Sequence, residues 1–271
     1  MTQEKLVTSK PDRYKASSFR AYNCRLTEHY DTLYWLRVFR VREWDHAIAE
    51  CLRPHLASSP VLDVGCASGR LLEVLAKQGA AHLCGVDIAP RILEKAREKL
   101  EPLGIRYELR AADVEEALQW PDSFFGAAIL CGVIHHFFRP RDALAQIHRV
   151  LQPGGCLVVA EPGFPIVVRQ VLNGYMRLFP HDGDCRFYSP RQLIRILDSS
   201  GFASVGAPKR PIRFSYMVVF SKRASEGTLR RPEGAQPDAA PEPPPDNAVR
   251  DAADTMNPKP ESKAPAEGDG W

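Results

Sequence analysis

One ten-residue run, VLDVGCASGR at Val61–Arg70, constrains the fold more than any other part of the chain. Its first four residues are typical of a short buried parallel strand, and two glycines follow closely. Glycine permits a tight turn and a close backbone approach that a Cβ atom would obstruct. Apolar residues then resume at helical spacing from Leu71 to Leu75. The run therefore predicts a strand, a glycine loop and a helix, which together open a Rossmann-like unit that binds a cofactor.

The same loop departs from the fingerprint of dinucleotide-binding proteins. Counted from Gly65, Ala67 replaces the second glycine of G-x-G-x-x-G and Arg70 replaces the third,. The missing glycines disfavour a nicotinamide dinucleotide and hence a dehydrogenase. The carboxylate of Asp63 at the mouth of the loop would repel a pyrophosphate but attract a ligand that carries an ammonium and a sulfonium group. This charge argument indicates S-adenosylmethionine.

A second acid follows the next predicted strand, LCGVDI. Asp87 ends this strand about twenty residues after the glycine loop, the spacing at which a carboxylate reaches ribose hydroxyls,. Ile88 is placed to cover one face of an adenine ring. The alternative is that Asp87 only caps the helix that begins at Pro90. The preceding glycine loop favours the ribose role.

Four ordered stretches resemble class I S-adenosylmethionine-dependent methyltransferases of the small-molecule type. They are VLDVGCASGR, CGVDIAP, AADVEEALQWPDSFFGAAILCGVIHHF and RVLQPGGCLVVAEP, and they cover about 61–162. The resemblance implies an α/β fold with a Rossmann-like, doubly wound, seven-stranded sheet that ends in an antiparallel hairpin. It also implies S-adenosylmethionine as the cofactor and S-adenosylhomocysteine as its product.

The resemblance assigns roles to individual positions of this chain. It implies that the loop of Asp63, Gly65, Cys66 and Gly69 surrounds the methionine part of the cofactor. The other implied cofactor contacts are Asp87 and Ile88 for ribose and adenine, Asp113 with Val114 beside it for the adenine amino group, and Cys131 and Gly132 for the sulfonium end.

Three histidines are the candidate general bases. His135 and His136 follow the strand GAAILCGVI at its carboxyl end, where open α/β sheets bind ligands, and His181 lies further along the chain,. We expect one residue of the adjacent pair to be structural. A base is needed only where the acceptor is a hydroxyl or an acidic carbon. No metal site is expected, because the seven cysteines include no C-x-x-C pair,.

The sequence predicts four regions. Residues 1–27 are expected to be flexible, 28–58 to form a helical cap, 59–222 to form the methyltransferase domain, and 223–271 to be a disordered tail rich in proline, alanine and acids,. Within the domain, strands are expected at Ala127–Val133 and Cys156–Glu161. An insertion at 162–189, with Tyr175, His181, Asp182 and Tyr188 as its polar candidates, is expected to recognise the acceptor,. Its three arginines could attract an anionic acceptor, but a solvated face is the favoured explanation of them.

Composition bounds the partners and the location. The N-terminus lacks the apolar region of a signal peptide,. No apolar run is as long as the roughly 18 residues that a membrane-spanning helix needs, so a cytoplasmic protein is expected,. The net charge of +3 is not focused in a nucleic-acid motif,. A small-molecule acceptor is therefore favoured. A protein or RNA acceptor, a non-catalytic cofactor-binding module and a homodimer remain open.

Overall fold

Alternating apolar strands and amphipathic helices build one sheet, described by a computed structural model over residues 10–25, 27–32, 41–178, 184–211 and 214–223. The sheet contains seven strands in the order β3-β2-β1-β4-β5-β7-β6. The first five are parallel, and β7 runs antiparallel to both β5 and β6. The strands are β1 Val61–Val64, β2 His82–Asp87, β3 Arg106–Ala111, β4 Phe125–Cys131, β5 Leu151–Pro162, β6 Phe202–Ser204 and β7 Ser215–Lys222.

Helices cover both faces of this sheet because each presents an apolar stripe to it. In the helix Arg70–Lys77, for example, Leu71, Leu72 and Leu75 are buried. The helices are α1 Lys10–Arg20, α2 Val41–Leu56, α3 Arg70–Lys77, α4 Pro90–Leu100, α5 Pro140–Val150, α6 Ile166–Leu178 and α7 Pro190–Ser199. None of the helices in the described residues is both long enough and apolar enough to cross a bilayer.

The chain order of the strands places the ligand site. The strand order reverses at β1, because β2 and β3 follow on one side while β4 and β5 follow on the other. The loops after β1 and β4 therefore diverge at their carboxyl ends and leave a crevice, the usual ligand site of open α/β sheets. The expected α/β architecture and its closing antiparallel pair, β6 and β7, are confirmed.

Two strands differ in extent from the sequence prediction. The strand expected at Ala127–Val133 is β4, and it ends at Cys131 because Gly132 adopts a left-handed φ of +64°. The strand expected at Cys156–Glu161 is β5, which begins earlier, at Leu151. Residues 152–155, just before the expected strand, belong to β5, and the pairing with β4 shifts register there.

The N-terminal region also differs from expectation. Helix α1 lies inside the stretch 1–27 that the sequence predicts to be flexible, and a π-helical turn continues it over Ala21–Arg25. It is held by specific contacts, since Tyr14 is buried and its hydroxyl donates to the Met176 carbonyl at 2.6 Å. Within the expected cap, the described helices are a 3-10 turn at Thr27–Thr32 and α2. Apart from Arg223, the predicted tail lies outside the described residues.

Candidate functional site

A cavity opens at the carboxyl ends of β1, β2 and β4, where the strand order reverses. It holds about 770 Å³ of space not filled by protein atoms, part of which is open to solvent. Eight residues predicted from the sequence line it: Gly65, Asp87, Ile88, Asp113, Val114, Cys131, Gly132 and His136.

The glycine loop after β1 forms the floor of the cavity. Gly65 has a left-handed φ of +71°, and a Cβ atom there would lie only 2.4 Å from Cγ2 of Val133. The N–H groups of Gly65 and Cys66 donate to the Val86 carbonyl at 2.7 and 3.1 Å. A side chain at Gly65 would therefore force apart the loops after β1 and β4, which the cavity needs close together.

Asp87 joins the glycine loop to the end of β2. Its Oδ2 accepts the N–H of Ala67 at 3.0 Å, and its Oδ1 accepts the N–H of Ala89 at 2.9 Å. Burial raises the pKa of Asp87 to about 6, although the backbone N–H donors act in the opposite direction. The carboxylate thus both holds the loop and lines the cavity.

Asp63 adds a second buried carboxyl group behind the cavity. It is 3% exposed and does not line the cavity. Burial and the nearby charge of Asp87 together raise the pKa of Asp63 to about 8. Among the residues that the structure describes, no cationic side chain pairs with either acid. A ligand carrying positive charge would therefore be stabilised here, which fits the sulfonium and ammonium groups of S-adenosylmethionine.

Helix α1 closes one side of the cavity through Lys15. The Lys15 ammonium pairs with Asp113 and lies 3.3 Å from a carboxylate oxygen of Glu115. Burial lowers the pKa of Lys15, but the hydrogen bonds and charges of these two acids outweigh burial and raise it. Asp113 therefore lines the cavity, as the resemblance implies, with a cation from α1 already on it. Ser18 and Tyr22 extend the same wall.

Glu161, near the end of β5, organises the loop after β4. It is 1% exposed, and its Oε1 accepts the N–H groups of Val133 and Ile134 at 2.9 and 3.0 Å. Its Oε2 lies 2.6 Å from Nδ1 of His135. One buried carboxylate thus satisfies two backbone donors and one imidazole nitrogen.

His135 belongs to the packed interior and does not line the cavity. Burial lowers its pKa, but the charge and hydrogen bond of Glu161 and the charge of Asp184 outweigh burial and raise it. Its carbonyl oxygen accepts the N–H groups of Cys185 and Arg186 at 2.8 and 3.1 Å. His135 therefore holds the segment that follows α6 against the loop after β4.

His136 is the histidine that faces the cavity. Its Nε2 lies 3.5 Å from the Tyr22 hydroxyl, and its Nδ1 lies 3.1 Å from Oδ1 of Asp184. The charge of the Asp184 carboxylate beside Nδ1 would stabilise the protonated form of the ring,. Three possible metal-ligand atoms, one from each of His135, His136 and Asp184, lie within 4.8 Å of one another. This spacing could also hold a metal ion.

Besides Asp63 and His135, three predicted site residues are not placed in the cavity. A Cβ atom at Gly69 would meet Ala96 at 2.7 Å, so this glycine permits the contact between α3 and α4. The Cys66 sulfur instead packs over Gly85 of β2, where an added Cβ would meet it at 2.7 Å. His181 lies outside the described residues.

Several residues of the site were missed from the sequence. Lys15 and Tyr22 were not predicted to line the cavity, because residues 1–27 were expected to be flexible. The spacing of Tyr14, Ser18 and Ala21 is nevertheless helical. Asp184 gave no local signal, since it reaches the site only through the packing of its segment on His135.

Comparison with known proteins identifies the family. Residues 62–159 match the methyltransferase domain family. The chain is 30% identical over 183 residues to a ubiquinone biosynthesis O-methyltransferase from Methylocella silvestris, covering 60% of this chain and 70% of that protein. It is 31% identical over 177 residues to a demethylmenaquinone methyltransferase from Tropheryma whipplei, covering 65% and 68%.

Solved structures share the fold. The magnesium protoporphyrin IX methyltransferase of Synechocystis PCC 6803, solved with bound SAH, superimposes with a TM-score of 0.62 at 18% identity, covering 78% of this chain and all of that one. A [4+2]-cyclase also superimposes, with a TM-score of 0.53 at 19% identity over 67% of this chain and 82% of that one. The fold alone therefore does not fix the reaction.

The fold, the cavity and these relatives together define a methyltransferase whose cofactor is S-adenosylmethionine. The chain belongs to the class I S-adenosylmethionine-dependent methyltransferases.

Proposed function

We propose that this enzyme methylates a hydroxyl group, or an equally acidic carbon, of a small-molecule acceptor, with His136 as the general base. The observation that carries the proposal is the setting of His136. Its Nε2 is at the cavity beside Tyr22, and its Nδ1 lies 3.1 Å from the Asp184 carboxylate. In this arrangement the imidazole can accept a proton at Nε2, and the Asp184 carboxylate would then stabilise the positive charge of the ring.

The cofactor contacts are assigned from the lining of the cavity. Asp87 would accept hydrogen bonds from the ribose hydroxyls, with Ile88 and Val114 against the adenine. The backbone of Gly65 and of Cys131–Gly132 would contact the methionine end. The carboxylate of Asp87, which lines the cavity, supports a cationic ligand. Asp113 would accept a hydrogen bond from the adenine amino group while it also keeps its ion pair with Lys15. Gly69 and Cys66 act through packing instead.

The residues of the site supply alignment and proton transfer. S-Adenosylmethionine supplies an activated methyl group, so the acceptor oxygen or carbon forms the new bond to the methyl carbon as the sulfonium bond breaks. His136 Nε2 takes the proton that the acceptor loses. Alignment and exclusion of water by the wall of α1 contribute most of the acceleration, on the order of 7 to 11 kcal/mol where the geometry is good.

His135 is assigned a positioning role. It is buried, its Nδ1 is held by Glu161, and its carbonyl anchors the segment that carries Asp184. Its effect on the reaction is therefore exerted through the position of His136. This division agrees with the expectation that one histidine of the pair is structural.

The class of acceptor rests on the relatives. Two are named for ubiquinone and demethylmenaquinone methylation, so hydroxylated aromatic rings of quinol type are the first acceptors to test. A cytoplasmic location and a homodimer remain predictions. The location rests on the composition and on seven cysteines that are all free thiols.

The test is release of S-adenosylhomocysteine by the full chain across a panel of catechols, hydroquinones and naphthoquinols. We expect turnover with part of the panel. His136→Gln should lower kcat by about 10²- to 10⁴-fold with the affinity for S-adenosylhomocysteine unchanged. His55→Gln, a half-buried histidine of α2, is the matched control. Full activity in His136→Gln would show that His136 is not the general base. Turnover only with amine acceptors would show that the acceptor class is wrong.

A further inference from the structure

Helix α6 presents its apolar residues to solvent, the reverse of an ordinary surface helix. Val167, Val171 and Leu178 are 67%, 66% and 75% exposed, and Val168 and Tyr175 on the same side are also exposed. These five side chains follow helical spacing, so they form one stripe along α6. We call this stripe the α6 apolar face. Contiguous exposed apolar surface of this kind marks an interaction site in a soluble fold.

The opposite side of α6 fixes the helix in this orientation. Met176 is buried, and its carbonyl accepts the Tyr14 hydroxyl. The Asn173 amide donates to the Phe187 carbonyl at 3.1 Å, and its oxygen accepts the Phe187 N–H at 2.8 Å. Because polar contacts tie this side down, rotation that buried the α6 apolar face would break them. Within the part of the chain that the structure describes, the exposure therefore follows from how α6 is held.

The charged residues of α6 are all basic. The helix IVVRQVLNGYMRL contains Arg169 and Arg177 and no acidic residue. Arg177 is exposed in the last turn, beside Leu178 at the end of the apolar stripe. An amphipathic helix with an apolar face and only basic charge is typical of segments that lie in the interface of an anionic bilayer.

A second copy of the chain fits this surface less well. A stable protein interface takes about 20–30 residues from each side, and the α6 apolar face offers five,. A lipid surface needs no matching partner area and would pair the exposed Arg177 with anionic headgroups, whereas Arg169 is half-buried and donates to the Phe164 carbonyl,. At 13 residues, about 20 Å, the helix can lie along a membrane but cannot cross it,.

We propose that the α6 apolar face docks this enzyme on an anionic lipid surface. The helix follows β5 directly, and three aromatic rings lead from it to the catalytic side. Phe164 lies 4.9 Å from Phe187, and Phe187 lies 5.0 Å from His135, measured between ring centroids. Docking would therefore bring the side of the site that carries the histidines close to the lipid. The inference goes beyond the proposed reaction and holds for any acceptor.

The experiment is co-sedimentation of the full chain with phosphatidylcholine vesicles, with and without phosphatidylglycerol. We expect the wild type to partition onto the vesicles that contain phosphatidylglycerol, and to be released by salt. Val171→Ser with Leu178→Ser should weaken the partition coefficient about tenfold or more, the effect of withdrawing one or two aliphatic side chains. Arg177→Gln should reduce the dependence on phosphatidylglycerol.

The control is Val205→Ser, which removes an apolar side chain of similar exposure, 56%, away from α6. It should bind vesicles as the wild type does. Binding of S-adenosylhomocysteine, unchanged in every variant, shows that each is folded and separates this test from that of the reaction. Three results overturn the proposal: no partition of the wild type, equal partition of the double variant, or a wild-type dimer that the double variant dissociates.

Discussion

The Asp87 carboxylate accepts the backbone N–H of Ala67 at 3.0 Å and so ties the glycine loop to the end of β2. Ala67 stands where a dinucleotide-binding loop has its second glycine, and it adopts a left-handed φ of +44°. The bond from Asp87 is one of the contacts that hold this strained residue in place. The acid that faces the cavity thus also shapes the loop opposite it.

Asp87→Asn is expected to weaken cofactor binding without unfolding the chain. The amide keeps one acceptor oxygen but loses the negative charge, and it turns an NH₂ group toward one of two backbone donors. We expect the Kd for S-adenosylhomocysteine to rise about tenfold or more, because hydrogen bonds to charged groups contribute about 1.5–3 kcal/mol. Calorimetric titration measures this. Asp142→Asn in α5 is the control, and an unchanged Kd in Asp87→Asn would remove the ribose assignment.

The buried carboxyl of Asp63 predicts a stability that falls with rising pH. Its pKa is raised to about 8 in the folded chain. A raised acid pKa contributes stability that is complete below the unfolded pKa, about 3.9, and is lost as pH rises through the folded value. Thermal unfolding of the cofactor-free chain should therefore show a lower Tm at about pH 9 than at about pH 6.

Asp63→Asn should reduce that loss, because the amide has no charge to bury. The Tm of the variant should exceed that of the wild type at about pH 9. Asp198→Asn, which changes an exposed acid of α7, should follow the wild-type curve. Parallel curves for wild type and Asp63→Asn would show that Asp63 is not the group that titrates.

The floor of the site was predictable from the sequence, and its walls were not. The loop at Gly65 and the acid at Asp87 are set by neighbours in the chain, because a glycine turn and a strand end are local features. Lys15 and Asp184 reach the site by packing of segments far away in sequence, and one sequence does not reveal such contacts. The sequence predicted Glu161 as the last residue of a strand. Its pairing with His135 depends on the register of β5 against β4.

Gly65→Ala tests the close approach of the two loops. The new Cβ would lie 2.4 Å from Val133 and would also require a left-handed φ. We expect loss of measurable binding of S-adenosylhomocysteine and a lower Tm. Gly79→Ala is the matched control, since it imposes a similar φ strain of +89° with no atom within 4 Å of the new Cβ. Adding Val133→Ala to Gly65→Ala should restore part of the binding, and equal damage from both glycine variants would assign the effect to strain alone.

The ion pairs of Lys15 hold α1 against the cavity and are expected to slow the release of the cofactor. The Lys15 side chain is 21% exposed, and it pairs with Asp113 and Glu115, which both line the cavity. In Lys15→Met we expect faster dissociation of S-adenosylhomocysteine, by about fivefold, which corresponds to about 1 kcal/mol for an ion pair near the surface. Stopped-flow displacement measures the rate. Lys77→Met, which removes an exposed pair with Glu73 on α3, should leave it unchanged. Slower dissociation in Lys15→Met would instead mean that Lys15 competes with the adenine for Asp113, because removing the competitor would tighten the complex.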